Sequence, residues 1–320
     1  MNTSHAPETG SAPAVSVTEL TKRYGDRTAV GGVSFDVPVG SVTGLVGPNG
    51  AGKTTIMSML LGLVRPTSGA ARVLGAPVRR RGAYLPRVGA LIETPAFHPA
   101  ASARRNLEAL AALGGHTASS VAGPLDDVGL SDRADEQVGA YSLGMKQRLG
   151  IAAALLGDPE LVILDEPTNG LDPQGMQDVR ALIRRIADGG DRPRTVIVSS
   201  HLLGELEHTC DHLVVLDRGG LVYLGPTDGL GAGDALVVRP ASPSDVDDVR
   251  VIAGSAGHPT SAGDGGVTVT LDDPASAERL AAEINRRAHA AGITLVELHH
   301  RRASLEARYL DLVGASAAGE

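Results

Sequence analysis

The chain has 320 residues, 42% of them hydrophobic and 21% charged, which is enough apolar material for one large α/β domain and a smaller second domain. This composition excludes a wholly disordered chain, a collagen and a small disulfide scaffold. The 29 basic and 37 acidic residues give a net charge of −8, so we expect no nucleic-acid partner, because proteins that bind nucleic acid usually carry a basic face.

The N-terminal segment, 1–14, has neither the basic start nor the apolar stretch of a signal peptide, and we predict that it is a disordered tail. No apolar run approaches the ~20 residues that cross a bilayer. The single cysteine, Cys210, cannot form an internal disulfide, which favours a reducing cytosol. Together these features predict a chain without a membrane-spanning segment that works in the cytoplasm.

Strand and helix patterns alternate along most of the chain. A first pair of strands is joined through a turn at Gly25, a later strand leads into a glycine-rich loop, and a mainly helical region follows from about 104 to 156. Within that region we expect Leu107 to Leu113 to be core, and Asp126 and Asp127 to start a helix. The alternation predicts a mostly parallel sheet with right-handed crossovers. The predicted strands are 15–20, 30–37, 42–46, 88–92, 161–164, 195–199 and 213–216, the predicted helices are 54–63, 173–188 and 202–209, and a turn is predicted at 65–69.

A smaller domain is predicted at the C-terminus. Glycine, proline and aspartate concentrate at 225–233, which predicts a linker between an N-terminal domain, 15–230, and an accessory α+β domain, 231–320. Because His299 and His300 lie at a strand end, we expect both to be solvated. The predicted strands of this domain are 235–239, 267–271 and 294–298, and its predicted helices are 244–253, 275–290 and 304–313.

The first motif with chemical content is the loop from Gly47 to Thr54, which fits the phosphate-loop pattern G-x-x-x-x-G-K-[ST] between a predicted strand and a predicted helix. Glycines let backbone N–H groups converge on an anion, and the helix N-terminus adds partial positive charge. Lys53 would reach the β- and γ-phosphates, and the Thr54 hydroxyl would be a ligand of Mg²⁺. The loop therefore predicts nucleotide binding rather than a glycine-rich turn that matches by chance.

Two adjacent carboxylates end the predicted strand 161–164. Taken alone, Asp165 and Glu166 would be a strand end with a capping acid. Downstream of a phosphate loop, the pair predicts instead that Asp165 holds Mg²⁺ and that Glu166 takes a proton from an attacking water or orients it.

Further motifs follow in a defined order. Tyr24 precedes the phosphate loop, Tyr141 to Met145 precedes the acidic strand, Gly170 to Asp172 follows it, and His201 comes just after a later strand. In this order and at these distances, the motifs resemble those of the nucleotide-binding subunit of an ATP-binding cassette (ABC) transporter, over about residues 15–227.

The resemblance implies the α/β fold of a P-loop ABC cassette: a mostly parallel sheet core, an antiparallel β subdomain and a helical subdomain at about 94–157, here followed by the small α+β domain. It implies ATP and Mg²⁺ as cofactors and a homodimer of cassettes packed head to tail, with ATP held between the phosphate loop of one copy and the segment around Ser142 of the other. Glu166 and His201 would be catalytic, with His201 contacting the γ-phosphate. The nucleotide-binding residues that the resemblance implies are Tyr24 (stacked on adenine), Gly47, Pro48, Asn49, Gly50, Ala51, Gly52, Lys53, Thr54, Thr55, Ser142, Gly144 and Asp172.

Two positions depart from the common pattern of that family. Leu143 stands where the signature segment usually has its first glycine, although the serine before it and the glycine after it match. Glu93 stands where many cassettes have a glutamine that senses Mg²⁺ and the membrane partner. Glu93 would be a metal ligand together with Thr54 and Asp165, or it would only cap the following loop. Both departures resemble a branch of bacterial exporter subunits linked to drug and bacteriocin self-resistance.

In that branch the membrane-spanning permease is a separate chain. The resemblance therefore implies an ATP-hydrolysing exporter subunit for drugs, antibiotics or peptides, peripheral on the cytoplasmic face of the membrane and docked to its partner near 93–105. The alternatives are a cassette ATPase that moves nothing and acts on the ribosome or on DNA, and a P-loop GTPase, for which the sequence has no Asn-Lys-x-Asp motif. His208 to His212 could be drawn as a metal site, but we favour structural roles there because a zinc site needs four tetrahedral ligands.

Overall fold

The structure is a computed structural model that describes residues 12–93, 96–189, 193–207, 209–227, 234–255, 257–263, 265–271, 273 and 276–301. The chain divides into two compact units, Met1–Pro226 and Thr227–Glu320. Three predicted segments lie wholly or mostly outside the described residues: the tail, the linker and the helix 304–313.

The first unit carries the strands and helices that position the candidate site. In its described part the strands are β1 (Val15–Tyr24), β2 (Arg27–Val37), β3 (Val42–Val46), β4 (Ser68–Val73), β5 (Ala76–Pro77), β6 (Val88–Leu91), β7 (Leu161–Leu164), β8 (Thr195–Ser200), β9 (His212–Asp217) and β10 (Gly220–Pro226). The helices there are α1 (Lys53–Leu60), α2 (Ala103–Leu113), α3 (Ala122–Asp127), α4 (Leu143–Ala154), α5 (Pro173–Asp188) and α6 (Leu203–Leu206).

The larger sheet has the order β10-β9-β3-β8-β7-β6 within the described part of the chain. All neighbouring strands pair in parallel except β10, which pairs antiparallel with β9. Every residue of β3, β7 and β8 is buried, as expected for parallel strands covered on both faces. The predicted parallel core is confirmed, and the carboxyl ends of β3, β7 and β8 meet at one edge of the sheet, where α/β proteins commonly bind ligands.

A second sheet is formed by strands near the N-terminus of the described chain. It is antiparallel and has the order β2-β1-β4-β5. β1 and β2 form the predicted hairpin through Gly25. The sequence analysis did not predict β4. This strand begins at Ser68, within the predicted turn at 65–69, and pairs with β1. Its serine, glycine and alanine residues have weak strand preference, and tertiary pairing together with burial of Ala71 and Val73 overrides that preference.

One apolar core joins both sheets and α1. Ile56, Met57 and Met59 of α1 are fully buried in it, together with Leu20 of the antiparallel sheet and Ile163 of the parallel sheet. Since close-packed interiors resist deformation, the N-terminus of α1 and the loop before it are held rigidly against the sheet edge.

The helical region agrees with the sequence prediction only in part. On α2, Leu107 and Ala111 are buried, whereas Leu110 and Leu113 are exposed. The expectation that 107–113 is core was therefore wrong for Leu110 and Leu113. The expectation that Asp126 and Asp127 start a helix was also wrong. They end α3, because the helix begins earlier, at Ala122, and runs through Pro124 in its first turn, where proline is tolerated.

The second unit contains β11 (Ala235–Pro240), α7 (Val246–Gly254), β12 (Thr260–Gly263), β13 (Gly266–Thr270), α8 (Ala277–Ala290) and β14 (Leu295–Arg301) in its described part. Its antiparallel sheet has the order β12-β13-β11-β14, so these elements form a β-α-β-β-α-β arrangement of the ferredoxin-like kind. The core holds Leu236, Val238, Val267 and Val269 of the sheet against both helices. The sequence predicted an α+β unit and missed β12, a short and mostly exposed strand.

The two histidines at the end of the second unit differ in environment. His299 is half exposed and lies 3.3 Å from Glu297, whereas His300 is three-quarters buried and its Nε2 lies 2.8 Å from Asp234 Oδ2. The expectation that both are solvated was therefore wrong for His300, because β14 pairs with β11 along its whole length and turns this ring to the helix-covered face.

Candidate functional site

The phosphate loop connects β3 to α1 and is shaped by its glycines. Gly52 caps the N-terminus of α1 with a φ of 104°, and a Cβ there would lie 2.6 Å from the carbonyl oxygen of Ala29. A Cβ at Gly47 would lie 2.3 Å from the carbonyl oxygen of Leu216. Glycine is therefore required at both positions by the close approach of neighbouring backbone, which fixes the path of the loop.

Lys53 begins α1 and is buried, with a relative exposure of 5%. Its ammonium donates a hydrogen bond to the Gly47 carbonyl at 2.6 Å and lies 3.1 Å from Glu166 Oε1. The Lys53 ammonium thus lies between the phosphate loop and the acidic end of β7. There it can neutralise both the Glu166 carboxylate and an anion bound at the loop.

Asp165 follows β7 and is held from two directions. The Thr54 hydroxyl donates to its Oδ2 at 2.6 Å, and the Ser199 hydroxyl at the end of β8 donates to its Oδ1 at 2.5 Å. The Ser199 oxygen also accepts the backbone N–H of Glu166 at 2.8 Å. Two of the three predicted metal ligands, Thr54 and Asp165, are therefore adjacent, and Ser199 orients the Asp165 carboxylate from its other side.

Glu166 and His201 form a contact pair at the same edge. His201 Nδ1 lies 2.8 Å from Glu166 Oε2, and both side chains are partly exposed. Glu166 adopts a left-handed φ of 47°, which is uncommon for a residue with a side chain, and its carbonyl accepts the N–H of Asn169 at 3.1 Å. Strained backbone of this kind clusters at functional sites.

A cleft of about 370 Å³ opens beside these residues. Tyr24 stands at its rim, 49% exposed, with the Lys22 ammonium 4.7 Å from its ring centroid. A half-exposed aromatic ring can stack on a flat base, and the cation restrains its orientation. The cleft is lined by Tyr24, Arg27, Ala29, Asn49, Gly50, Ala51, Gly52, Lys53, Thr54, Thr55 and Glu166.

The predicted signature residues lie in a different cavity, of about 440 Å³. Ser142 caps α4 by accepting the N–H of Met145 at 3.2 Å, and Asp172 caps α5 by accepting the N–H of Gly175 at 3.1 Å. Gly144 lines the same cavity. Tyr141, just before the cap, donates to the Arg133 carbonyl at 2.7 Å, and burial raises the pKa of its phenol. Ser142, Gly144 and Asp172 are thus brought together, but apart from the cleft at the phosphate loop.

Glu93 lies two residues beyond the end of β6 and is exposed, with a left-handed φ of 62°. Glu93 is not among the described residues that line the cleft, nor among those that line the signature cavity. Thr94 and Pro95, which follow it, lie outside the described residues. Its role as a metal ligand or loop cap remains a prediction.

Four polar residues of the site were missed from the sequence: Ser199, Ser200, Thr168 and Glu205. The buried Glu205 carboxylate accepts hydrogen bonds from Thr168 and Ser200. The available signal was the pair of serines that ends an otherwise apolar strand just before His201.

The segment from His208 to His212, which could be drawn as a metal site from the sequence, is held by structural contacts at Asp211. Its carboxylate accepts the N–H of Val42 at 2.8 Å and a hydrogen bond from Arg184 at 2.7 Å. These contacts give Asp211 a structural role, while His208 lies outside the described residues.

Comparison with known proteins gives consistent matches. A protein-family model described as "ABC transporter" matches residues 30–169. The chain is 44% identical over 218 residues to the bacitracin transport ATP-binding protein BcrA of Bacillus licheniformis, covering 68% of this chain and 71% of that protein. It is 41% identical over 213 residues to the lantibiotic transport ATP-binding protein SrtF of Streptococcus pyogenes, covering 67% of this chain and 91% of that protein.

Solved structures agree on the fold. The ATP-binding subunit of an ABC transporter matches with a TM-score of 0.59 and 28% identity, covering 68% of this chain and 91% of that one. The ATP-binding cassette MJ1267 matches with a TM-score of 0.62 and 22% identity, covering 68% of this chain and 92% of that one. No helix among the described residues combines the length and apolarity needed to cross a bilayer. The chain therefore belongs to the ABC transporter family as an ATP-binding subunit, an ATPase whose activity is coupled to transport.

Proposed function

We propose that the cleft beside the phosphate loop binds ATP as its magnesium complex and that Glu166 is the base for hydrolysis. The observation that carries this proposal is the convergence of Lys53, Thr54, Asp165, Glu166 and His201 at one edge of the parallel sheet. Backbone N–H groups of the loop and the N-terminus of α1 would bind the phosphates, Lys53 would balance their charge, and Tyr24 would stack on the base.

The donor set at Thr54 and Asp165 fits Mg²⁺. A hydroxyl and a carboxylate oxygen lie 2.6 Å apart beside the phosphate loop, and Mg²⁺ prefers oxygen ligands, commonly one or two from the protein with the rest from phosphates and water. When bound, the metal supplies neutralisation of charge on the phosphate oxygens. Ser199 would keep the carboxylate aimed at Thr54. Glu93 does not line the cleft, which makes it the weakest of the three predicted ligands.

The hydrolytic roles follow from the pair formed by Glu166 and His201. A carboxylate at the cleft wall can accept a proton from an attacking water, and the histidine that touches it can hold the carboxylate in place and contact the γ-phosphate. Phosphoryl transfer depends mainly on such positioning and charge stabilisation. The Lys53 ammonium, 3.1 Å from the Glu166 carboxylate, would hold that carboxylate from its other oxygen.

The separation of the two cavities supports a homodimer of cassettes. Ser142 and Gly144 stand at the N-terminus of α4, a suitable place for an anion, but they do not line the cleft in their own chain. A second copy packed head to tail would bring its α4 to the phosphates of the first. ATP would then join two copies, and hydrolysis would release them.

For the transported compound, we propose efflux of a peptide antibiotic through a separate membrane permease. The support is the set of relatives, which are named for transport of bacitracin and of lantibiotics. The chain would lie peripherally on the cytoplasmic face of the membrane and contact the permease near 93–105. Co-expression with a candidate permease tests this: the two chains should co-purify in detergent and lower the sensitivity of cells to such peptides. Failure of both results would refute the exporter role.

Turnover and dimerisation test the site itself. In the full chain, Glu166→Gln should still bind ATP, lose turnover by at least about 100-fold and accumulate as a dimer with ATP in light scattering. The matched control is Glu160→Gln, at the opposite end of β7, where the exposed glutamate pairs with Arg87 and its loss should leave turnover unchanged. Wild-type turnover in Glu166→Gln would contradict the assignment of the base.

A further inference from the structure

Glu205 is a buried carboxylate that the proposed chemistry does not use. It lies in α6, four residues after His201, with a relative exposure of 9%. One of its oxygens, Oε2, accepts hydrogen bonds from two hydroxyls, those of Thr168 at 2.9 Å and Ser200 at 3.0 Å.

Keeping a carboxylate in this place is unfavourable for stability. Among the residues that the structure describes, the Glu205 carboxylate is hydrogen-bonded by hydroxyls and forms no ion pair with a lysine, arginine or histidine. Burial of a charge without a counterion is costly even when hydrogen bonds are made. The carboxylate therefore calls for an explanation other than packing.

The two hydroxyls belong to the two segments that carry the catalytic pair. Thr168 lies two residues after Glu166, in a turn closed by the hydrogen bond from Asn169 N–H to the Glu166 carbonyl. Ser200 immediately precedes His201, and its oxygen also accepts the N–H of Leu202 at 3.0 Å. A single oxygen of Glu205 thus ties the turn after Glu166 to the strand end before His201.

We propose that Glu205 is a positioning residue that fixes the separation between Glu166 and His201 during hydrolysis. The two residues meet at 2.8 Å across segments that are 35 positions apart in sequence, so their distance depends on contacts between those segments. A carboxylate oxygen accepts both hydroxyl protons at once, which an apolar side chain cannot do. The proposal depends on the role given above to Glu166, and it assigns Glu205 no contact with ATP.

The test compares Glu205→Met, which keeps volume but removes the acceptor, with Glu205→Gln, whose amide oxygen can still accept both hydroxyl protons. For Glu205→Met in the full chain, kcat should fall about 10- to 100-fold, while KM for ATP stays within about threefold. The melting temperature should fall, because two buried hydroxyls lose their acceptor, but the variant should be folded at the assay temperature. Glu205→Gln should keep kcat within about fivefold of wild type. Glu207→Gln, an exposed neighbour, is the control and should behave as wild type.

Each outcome decides the question. A kcat within twofold of wild type in Glu205→Met would overturn the proposal, and so would a loss of kcat that comes with equal loss of ATP affinity or of folded protein. If Glu205→Met does not fold, Thr168→Val and Ser200→Ala each remove one donor: a lower kcat with unchanged KM in protein that is folded at the assay temperature supports the proposal, and an unchanged kcat in both refutes it. Glu166→Gln is measured in parallel, since full turnover there would show that the base was misassigned, independently of Glu205.

Discussion

Removal of the Ser199 hydroxyl should weaken both the folded state and the magnesium dependence of turnover. The residue has no exposed surface, donates to Asp165 Oδ1 at 2.5 Å and accepts the N–H of Glu166 at 2.8 Å. Ser199→Ala leaves a buried N–H and a buried carboxylate oxygen each short of one partner. At about 1–3 kcal/mol for each group, the expected loss of stability is about 2–6 kcal/mol.

The functional effect follows from the freed carboxylate. With only Thr54 holding it, Asp165 can rotate away from the metal-binding position, and loss of one hydrogen bond to a charged group corresponds to at least about a tenfold change in an equilibrium constant. We therefore expect the Mg²⁺ concentration that gives half-maximal ATPase activity to rise at least about tenfold in Ser199→Ala.

Titration of ATPase activity with Mg²⁺, alongside urea unfolding of the full chain, measures both effects. The control is Ser41→Ala: Ser41 is also buried, but its hydroxyl makes one bond, to the Pro38 carbonyl at 2.8 Å, just before β3 begins. It should lose about 1 kcal/mol and keep the wild-type Mg²⁺ dependence. This role of Ser199 would be refuted if Ser199→Ala lost no more stability than Ser41→Ala and kept the wild-type half-maximal Mg²⁺ concentration.

Three further predictions concern other groups. Lys53→Ala should weaken ATP binding at least about tenfold in equilibrium titration, because the buried ammonium beside the loop is lost, and an unchanged Kd would count against its role. Tyr24→Ala should weaken ATP binding by about 1–3 kcal/mol while Tyr24→Trp retains it, and equal affinity of the two variants would exclude stacking. Burial raises the pKa of the Cys210 thiol well above its usual range, so maleimide labelling at pH 8 should be slow in the native chain and fast in urea. Because the unfolded chain releases this proton at lower pH than the folded chain, stability should fall as pH rises above about 8.5, and equal labelling rates in the native and unfolded chains would contradict the burial argument.

The parts of the site that the sequence predicted are those encoded locally. The phosphate loop, the strand before it and the helix after it lie within about 20 residues, and strongly apolar runs identify β3, β7 and β8 as buried parallel strands. Because the carboxyl ends of such strands meet at one edge, Asp165, Glu166 and His201 could be expected near Lys53 and Thr54, as the structure has them.

The missed contacts depend on strand register, which a single sequence does not specify. Leu164 of β7 pairs with Val198 of β8, so the next residues along each strand, Asp165 and Ser199, lie side by side. A shift of one residue would place a different side chain beside Asp165. The same holds for Thr168 and Glu205, 37 positions apart, whose contact arises only after the sheet forms.

The errors outside the site have similar causes. β4 was missed because small residues with weak strand preference are recruited by pairing with β1. Asp126 and Asp127 were assigned to a helix start because acids favour that position, yet an earlier turn at 118–121 lets the helix begin before them. His300 was predicted to be solvated because the strand was expected to end sooner, and the longer β14 places it beside Asp234.

The charge of the cluster makes metal and nucleotide binding depend on each other. Asp165 is buried and Glu166 is partly buried. Among the described residues, the Lys53 ammonium and the His201 ring are the groups within ion-pair distance of the Glu166 carboxylate. Beside the metal position, two carboxylates against one ammonium leave a local surplus of negative charge that disfavours a phosphate oxygen there, although the Arg27 guanidinium lines the same cleft. A divalent cation at Thr54 and Asp165 reverses that balance, so the cleft should favour the magnesium complex over free ATP. The same carboxylates that prepare the site for hydrolysis therefore oppose binding of the nucleotide without its metal.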